Sequence, residues 1–287
     1  MSAAITEHIG QLSLGRIRWL TAGEGPPLVL LHGMGVYSSA SLFKYVIPKL
    51  AVRFRVIAPD LLGFGKGVRA MEEGPTFELM LEHLREFMDV EGLARVDLLG
   101  HSMGGWVAAL FAHQSPSRVS RLAMLCAAGM NLAPAKGIRH AAIPSAEELR
   151  KNFLGGMRHP ENADPEIVAD AALNAHQMAS EPGALDGIDP LLRQMETPSL
   201  RERYMLQRRL PYIAVPTLVA WGEADVFEPY PTWNAEWPEL KGDVTQSSKP
   251  WAPQGAIFRR LPTGHFPHIE NPGLTAELIL EYFSPAR

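Results

Sequence analysis

An α/β fold, built on a mostly parallel sheet flanked by helices with an inserted helical cap, is predicted by three observations. Short apolar runs bounded by turn residues recur at strand length from Ile17 to Leu261, and amphipathic stretches of helical period separate several of them. The alternation then lapses over residues 131–210, which carry helical patterns and no convincing strand. Strands that alternate with helices pair in parallel, because the long crossover packs back onto a sheet face.

Taken in order, Leu12–Leu14 and Ile17–Leu20 flank Gly15 and predict an antiparallel hairpin at one sheet edge. Leu28–Leu31 is the first parallel strand, followed by an amphipathic stretch at Ser41–Leu50 and a strand at Phe54–Ala58. Phe77–Val90 sets Phe77, Met80, Leu81, Leu84 and Met88 on one face of a helix. Val96–Leu99 is a buried strand, Trp106–His113 a helix, and Leu122–Ala127 a core strand that holds the single cysteine, Cys126, as a small buried hydrophobe. In the cap, Asp164-Pro165 forms an N-cap with proline at the first helical position, leading into Glu166–Met178; Leu191–Leu210 carries a further long helical pattern. Strands at Thr217–Trp221 and Ile257–Leu261 follow, separated by a long excursion over residues 229–254 whose Trp233, Trp237 and Trp251 line an entrance or cover a subunit contact, as in a homodimer. Asn271-Pro272 opens the last helix. Residues 1–130 and 211–287 are thus the predicted core, with 131–210 the cap.

Composition narrows the function classes. Over 287 residues, an apolar share of 46% supplies a sizeable core, and a net charge of −4 with both signs interspersed leaves no basic stripe for nucleic acid. No apolar run approaches the roughly 18 residues that span a bilayer, and the first residues lack a signal-peptide layout, so a cytoplasmic enzyme without membrane contact is expected.

The chemistry starts at Gly100-His101-Ser102-Met103-Gly104, a Gly-x-Ser-x-Gly sequence between a strand pattern and a helix pattern. That context makes it a nucleophile elbow: glycines at 100 and 104 relieve clashes in a sharp turn, and the helix side supplies free N–H donors. His32-Gly33-Met34-Gly35 follows the first parallel strand, so an N–H of this loop pairs with that of Met103 as an oxyanion hole. Gly222-Glu223-Ala224-Asp225 follows a strand and offers an acid, Asp225 in preference to Glu223. Thr263-Gly264-His265-Phe266-Pro267-His268 follows the last strand and offers a base, His265 in preference to His268, whose neighbouring Pro267 suits a packing role.

The order serine, acid, histidine completes a set of motifs that resembles the serine-nucleophile branch of the α/β-hydrolase family over nearly the whole chain. Pro59-Asp60-Leu61-Leu62-Gly63-Phe64-Gly65 belongs to that resemblance, with Asp60 closing a turn and taking no part in catalysis. The implied catalytic residues are Ser102, Asp225 and His265, the implied oxyanion donors Met34 and Met103, and the implied substrate a small-molecule ester or ketone, with no metal or organic cofactor. Residues 57–67, Ser102-Met103-Gly104-Gly105-Trp106 and the cap look like hydrolases that cleave carbon–carbon bonds in ring-opened aromatic dienoates. Those enzymes commonly carry asparagine before the nucleophile and tryptophan after the histidine; His101 and Phe266 stand here instead, adjoin the substrate, and turn the expectation toward a carboxylic ester or lactone. Relatives that dehalogenate or open epoxides place an aspartate at the elbow, and Ser102 argues against both activities. In the cap, Met130, Met157, Met178, Met195 and Met205 offer adaptable apolar surface and Arg139, Arg150, Arg158 and Arg193 offer cations for a carboxylate, although core filling and solvation are their bland readings. A receptor that uses the same pocket to sense a ligand is the alternative of another class.

Overall fold

Alternate residues of the central strands face opposite sides, and both sides are apolar, so the sheet is covered on both faces. Val29, Leu31, Ile57, Leu98, Met124 and Val219 point into one buried cluster, while Leu28, Leu30, Val56, Ala58, Leu99 and Ala220 point into another. The computed structural model describes residues 3–68, 74–130, 142–185, 187–228, 245–246, 253 and 255–284. Its strands are β1 (Thr6–Leu12), β2 (Gly15–Ala22), β3 (Pro27–Leu31), β4 (Arg55–Pro59), β5 (Val96–His101), β6 (Val119–Leu125), β7 (Thr217–Gly222), β8 (Thr245–Gln246) and β9 (Ile257–Leu261). They form one sheet in the order β1-β2-β4-β3-β5-β6-β7-β9-β8, parallel from β4 to β9, with β1, β2 and β8 antiparallel at the edges.

The helices are α1 (Ile47–Leu50), α2 (Phe77–Val90), α3 (Met103–Gln114), α4 (Ala146–Gly155), α5 (Pro165–Ala179), α6 (Asp189–Glu196), α7 (Pro198–Glu202), α8 (Pro267–Glu270) and α9 (Pro272–Phe283). Residues of α2 and α3 contribute to the first cluster and those of α1 and α9 to the second. Helix starts follow local chemistry: Thr76 accepts from Leu79 N–H, Asp164 from Glu166 and Ile167 N–H, and Asn271 from Leu274 N–H. Ser145 and Glu148 make a reciprocal capping box at α4.

Two helical expectations need correction. The stretch Ser41–Leu50 is not one helix; it divides into a 3₁₀ turn at Ala40–Phe43 and the short α1. Pro48 accounts for the break, since its ring has no N–H and collides with the preceding turn. Leu191–Leu210 likewise breaks into α6, α7 and two 3₁₀ turns, with Pro198 opening α7 and Pro211 lying in the last turn. Most of the excursion over residues 229–254, including Trp233, Trp237 and Trp251, lies outside the described residues, but Thr245–Gln246 pairs with β9 as an unforeseen edge strand. Among the described residues, no helix is long and apolar enough to cross a membrane.

The parallel register brings the C-terminal ends of β3, β5, β7 and β9 to one edge, where open α/β sheets place their ligands. His101 ends β5 opposite Leu125 of β6, and the loops holding Met34, Ser102, Asp225 and His265 all leave from this edge.

Candidate active site

Ser102 stands between β5 and α3 at φ 54° and ψ −122°, a conformation that a side chain rarely adopts. Its backbone is over-determined: Ser102 N–H donates to Leu125 C=O, and its own carbonyl accepts from Gly105, Trp106 and Ala128 N–H. Such positive-φ strain costs about 1–3 kcal/mol and persists only where the surroundings hold it. The flanking glycines are a matter of space. A Cβ at Gly100 would overlap the Gly104 carbonyl, and one at Gly104 would overlap the carbonyls of Leu31 and His32.

His265 reaches the serine from the loop after β9. Ser102 Oγ lies 3.2 Å from His265 Nε2, and His265 Nδ1 donates to Asp225 Oδ2 at 2.8 Å. Asp225 Oδ1 accepts the backbone N–H groups of Phe227 (3.0 Å) and Glu228 (2.8 Å), so the carboxylate is buried and fully bonded. A carboxylate on Nδ1–H fixes the tautomer that leaves the Nε2 lone pair toward the serine hydroxyl. Cys126 lies behind this pair; burial, and then Asp225, pushes its thiol well above the usual range, as expected of an inert thiol. Cys126, Asp225 and His265 are also, among the described residues, the one group with three metal-ligating atoms within 4.8 Å of one another. Its donors are already committed, however: the thiol is held protonated and the other two bond each other.

The loop after β3 closes over the serine. His32 Nδ1–H donates to Gly33 C=O at 2.8 Å and its Nε2 accepts Leu61 N–H at 2.9 Å, fixing the turn that carries Met34. Met34 and Met103 both line a cavity of about 430 Å³ beside Ser102. Among the described residues, neither backbone N–H is bonded to an acceptor. Tyr37, Ser38, Asn152 and Phe227 share the cavity wall, and none was singled out from sequence, because they come from three separate segments with no motif. Asn152 donates to Tyr37 Oη at 3.2 Å, tying α4 to the core loop.

His101 and Phe266 both line the cavity. His101 Nε2–H donates to the His265 carbonyl at 2.7 Å, and burial holds the imidazole well below its ordinary pKa and therefore neutral. Phe266 packs edge-on against Phe153 and Phe227. His268 is buried against Phe43 and His101, its pKa pushed to about 3 by burial, so it packs rather than titrates. Glu223 pairs with Arg158 and with Arg260 (2.5 Å). Asp60 closes its turn by accepting from Ala40 and Lys66 N–H and pairing with buried Arg18.

Of the five methionines expected to offer apolar surface, Met195 lines the cavity, whereas Met130, Met157 and Met205 pack into buried clusters and Met178 is buried elsewhere. None of Arg150, Arg158 or Arg193 lines it; Arg150 pairs with Glu147, Arg158 with Glu223, and Arg193 is exposed. Arg139 lies outside the described residues.

Comparison with known proteins places this geometry among relatives. Residues 26–272 match the family described as alpha/beta hydrolase fold. The dihydrolipoyllysine-residue acetyltransferase component of the acetoin cleaving system of Pseudomonas putida is 33% identical over 227 residues, covering 74% of this chain but only 56% of that protein. The 2-hydroxymuconate semialdehyde hydrolase of Pseudomonas sp. (strain CF600) is 27% identical over 271 residues, covering 92% of this chain and 89% of that protein. The 2-hydroxy-6-oxo-6-phenylhexa-2,4-dienoate hydrolase of Rhodococcus sp. strain RHA1 shares the fold, with a TM-score of 0.79 at 24% identity over 98% of this chain and 99% of that one.

Proposed function

The chain belongs to the alpha/beta hydrolase fold family, and on that premise we propose that it is a serine hydrolase that cleaves a carboxylic ester or lactone through an acyl-enzyme on Ser102. The observation that carries this reading is the hydrogen-bonded line from Ser102 Oγ through His265 to Asp225, 3.2 and 2.8 Å long, with its serine end in the cavity wall. As Ser102 Oγ attacks the carbonyl carbon, its proton passes to His265 Nε2, and Asp225 stabilises the imidazolium that forms. The Met34 and Met103 amides receive the oxyanion, each such donor being worth about 3 kcal/mol in comparable sites. His265 then protonates the leaving oxygen, and water repeats the attack on the acyl-enzyme with the roles of acid and base reversed.

Two features support ester over carbon–carbon cleavage. Cleavage of a dienoate asks the site to ketonise the substrate while holding its carboxylate, which calls for a placed cation. No lysine or arginine lines the cavity among the described residues, and the residues beside the serine and the histidine are His101 and Phe266. The second reading, a carbon–carbon hydrolase, is favoured by the 2-hydroxymuconate semialdehyde hydrolase that matches 92% of the chain.

A fluorophosphonate should label Ser102 alone, and kcat/KM for a short-chain or aromatic ester should exceed that for a ring-opened dienoate by at least about tenfold, roughly 1.4 kcal/mol of transition-state preference. A better dienoate substrate moves the assignment to carbon–carbon hydrolysis. Turnover no greater than that of Ser102→Ala, with a ligand still bound, moves it to a receptor.

A further inference from the structure

Glu270, at the end of α8, takes no part in the proton transfers above, yet it is 9% exposed and holds three backbone N–H groups from two different parts of the chain. Its Oε2 accepts from Gly264 at 2.7 Å, directly before His265. Its Oε1 accepts from Arg158 at 3.1 Å and from His159 at 3.0 Å, in the segment that joins α4 to α5. A fourth bond runs alongside, from His265 N–H to Gly156 C=O at 2.7 Å. Residues 156–159 and 264–265 are therefore stitched together, with Glu270 accepting on both sides.

The close approach explains the glycine before the histidine. A Cβ at Gly264 would overlap the Gly156 carbonyl oxygen, and one at Gly156 would collide with the rings of Phe227 and Phe266. Hydrogen bonds to an ionised acceptor are roughly twice as strong as neutral ones, so three of them on one buried carboxylate set the loop firmly. The histidine's ring position follows from its backbone, which is also held by His101 Nε2–H on its carbonyl. Misplacing a catalytic group by about 1 Å can cost on the order of a hundredfold in rate.

We infer that Glu270 is a positioning residue for His265, and that the 156–159 segment between α4 and α5 is part of the catalytic support. This rests on the serine-hydrolase reading. Its consequence is that removing the segment between β6 and β7 takes away Gly156 C=O and leaves Glu270 half-bonded, so turnover of even the smallest esters should suffer.

The test compares the full-length chain with Glu270→Gln, which keeps the shape but can no longer accept on both sides. Active sites are titrated with a fluorophosphonate, and p-nitrophenyl acetate turnover is expressed per titrated site. Glu270→Gln should lower kcat per site and the phosphonylation rate together by about ten- to a hundredfold, with KM within about twofold. Loss of folded protein alone would reduce the number of sites and leave kcat per site unchanged; that result overturns the inference. Should the variant not fold, deuterium exchange on the wild-type enzyme decides instead. The amides of 158–159 and 264–265 should share one protection factor, as groups that open together do, whereas independent protection overturns the inference. A wild-type chain that fails to react at Ser102 refutes the serine-hydrolase reading and this inference with it; a reactive wild type with an equally reactive Glu270→Gln refutes the inference alone.

Discussion

Replacing Asp225 by asparagine should cost about four orders of magnitude in kcat while leaving the fold intact, and the structure says why the loss should be so large. Asp225 accepts on both oxygens: Oδ2 takes His265 Nδ1–H at 2.8 Å, and Oδ1 takes the N–H groups of Phe227 and Glu228 at 3.0 and 2.8 Å. An asparagine of the same shape has one oxygen and one NH₂. The two fixed backbone donors demand the oxygen, so the NH₂ must face His265. The imidazole can then only accept at Nδ1, which puts its proton on Nε2, toward Ser102, where it blocks uptake of the serine proton. A wrong tautomer in a site of this kind costs roughly 10⁴ in kcat, or about 5 kcal/mol at 1.36 kcal/mol per decade. Glu223→Gln is the matched control, because Glu223 pairs with Arg158 and Arg260 and does not touch the histidine. Its kcat should stay within about threefold. The assay is p-nitrophenyl acetate hydrolysis per titrated site, with circular dichroism for the fold. A loss below tenfold in Asp225→Asn, or an equal loss in Glu223→Gln, would refute the reasoning.

Asp60→Ala should leave kcat per site unchanged while destabilising the fold by about 2–5 kcal/mol in urea unfolding, since it leaves two backbone N–H groups without their acceptor and takes from Arg18 one of its two carboxylates, Glu7 remaining; an activity loss instead would give Asp60 a catalytic part. Acid should weaken the fold through buried neutral histidines. Burial lowers His83 to about 4 and His268 to about 3, so the unfolded chain binds protons first as pH falls below the ordinary value near 6.5. The stability held above that pH should fall by up to about 1.4 kcal/mol per unit for each group, down to about 4 for His83 and about 3 for His268. His268→Phe should flatten the descent, and an unchanged pH profile of Tm would refute the cause. Gly100→Ala should give little folded protein, because its Cβ has no space beside the Gly104 carbonyl, and a well-folded variant would show that the elbow relaxes more than its packing allows.

Local chemistry was enough to read several parts of this protein from the chain. Strand runs such as Leu28–Leu31 and Thr217–Trp221 were legible because both faces of a covered parallel sheet must be apolar, and β3 and β7 lie there. The starts of α5 and α9 were legible because an N-cap followed by proline satisfies the exposed N–H groups of any helix, whatever surrounds it. Ser102 with glycines at 100 and 104 marked the elbow, since only glycine fits against the Gly104, Leu31 and His32 carbonyls. Helical periodicity was a weaker guide where proline intervened, and the long pattern Leu191–Leu210 broke at Pro198.

Only tertiary structure decided which polar groups share a partner. The chain favours Asp225 over Glu223 as the acid, but their partners come from the packing, which turns one toward His265 and the other toward Arg158 and Arg260. Asn152 meets Tyr37 across 115 residues, and Glu270 meets the backbone of Arg158 across 112. Such pairings leave no periodic trace, because a hydrogen bond depends on where two atoms lie in space and a sequence pattern records only which residues are neighbours along the chain.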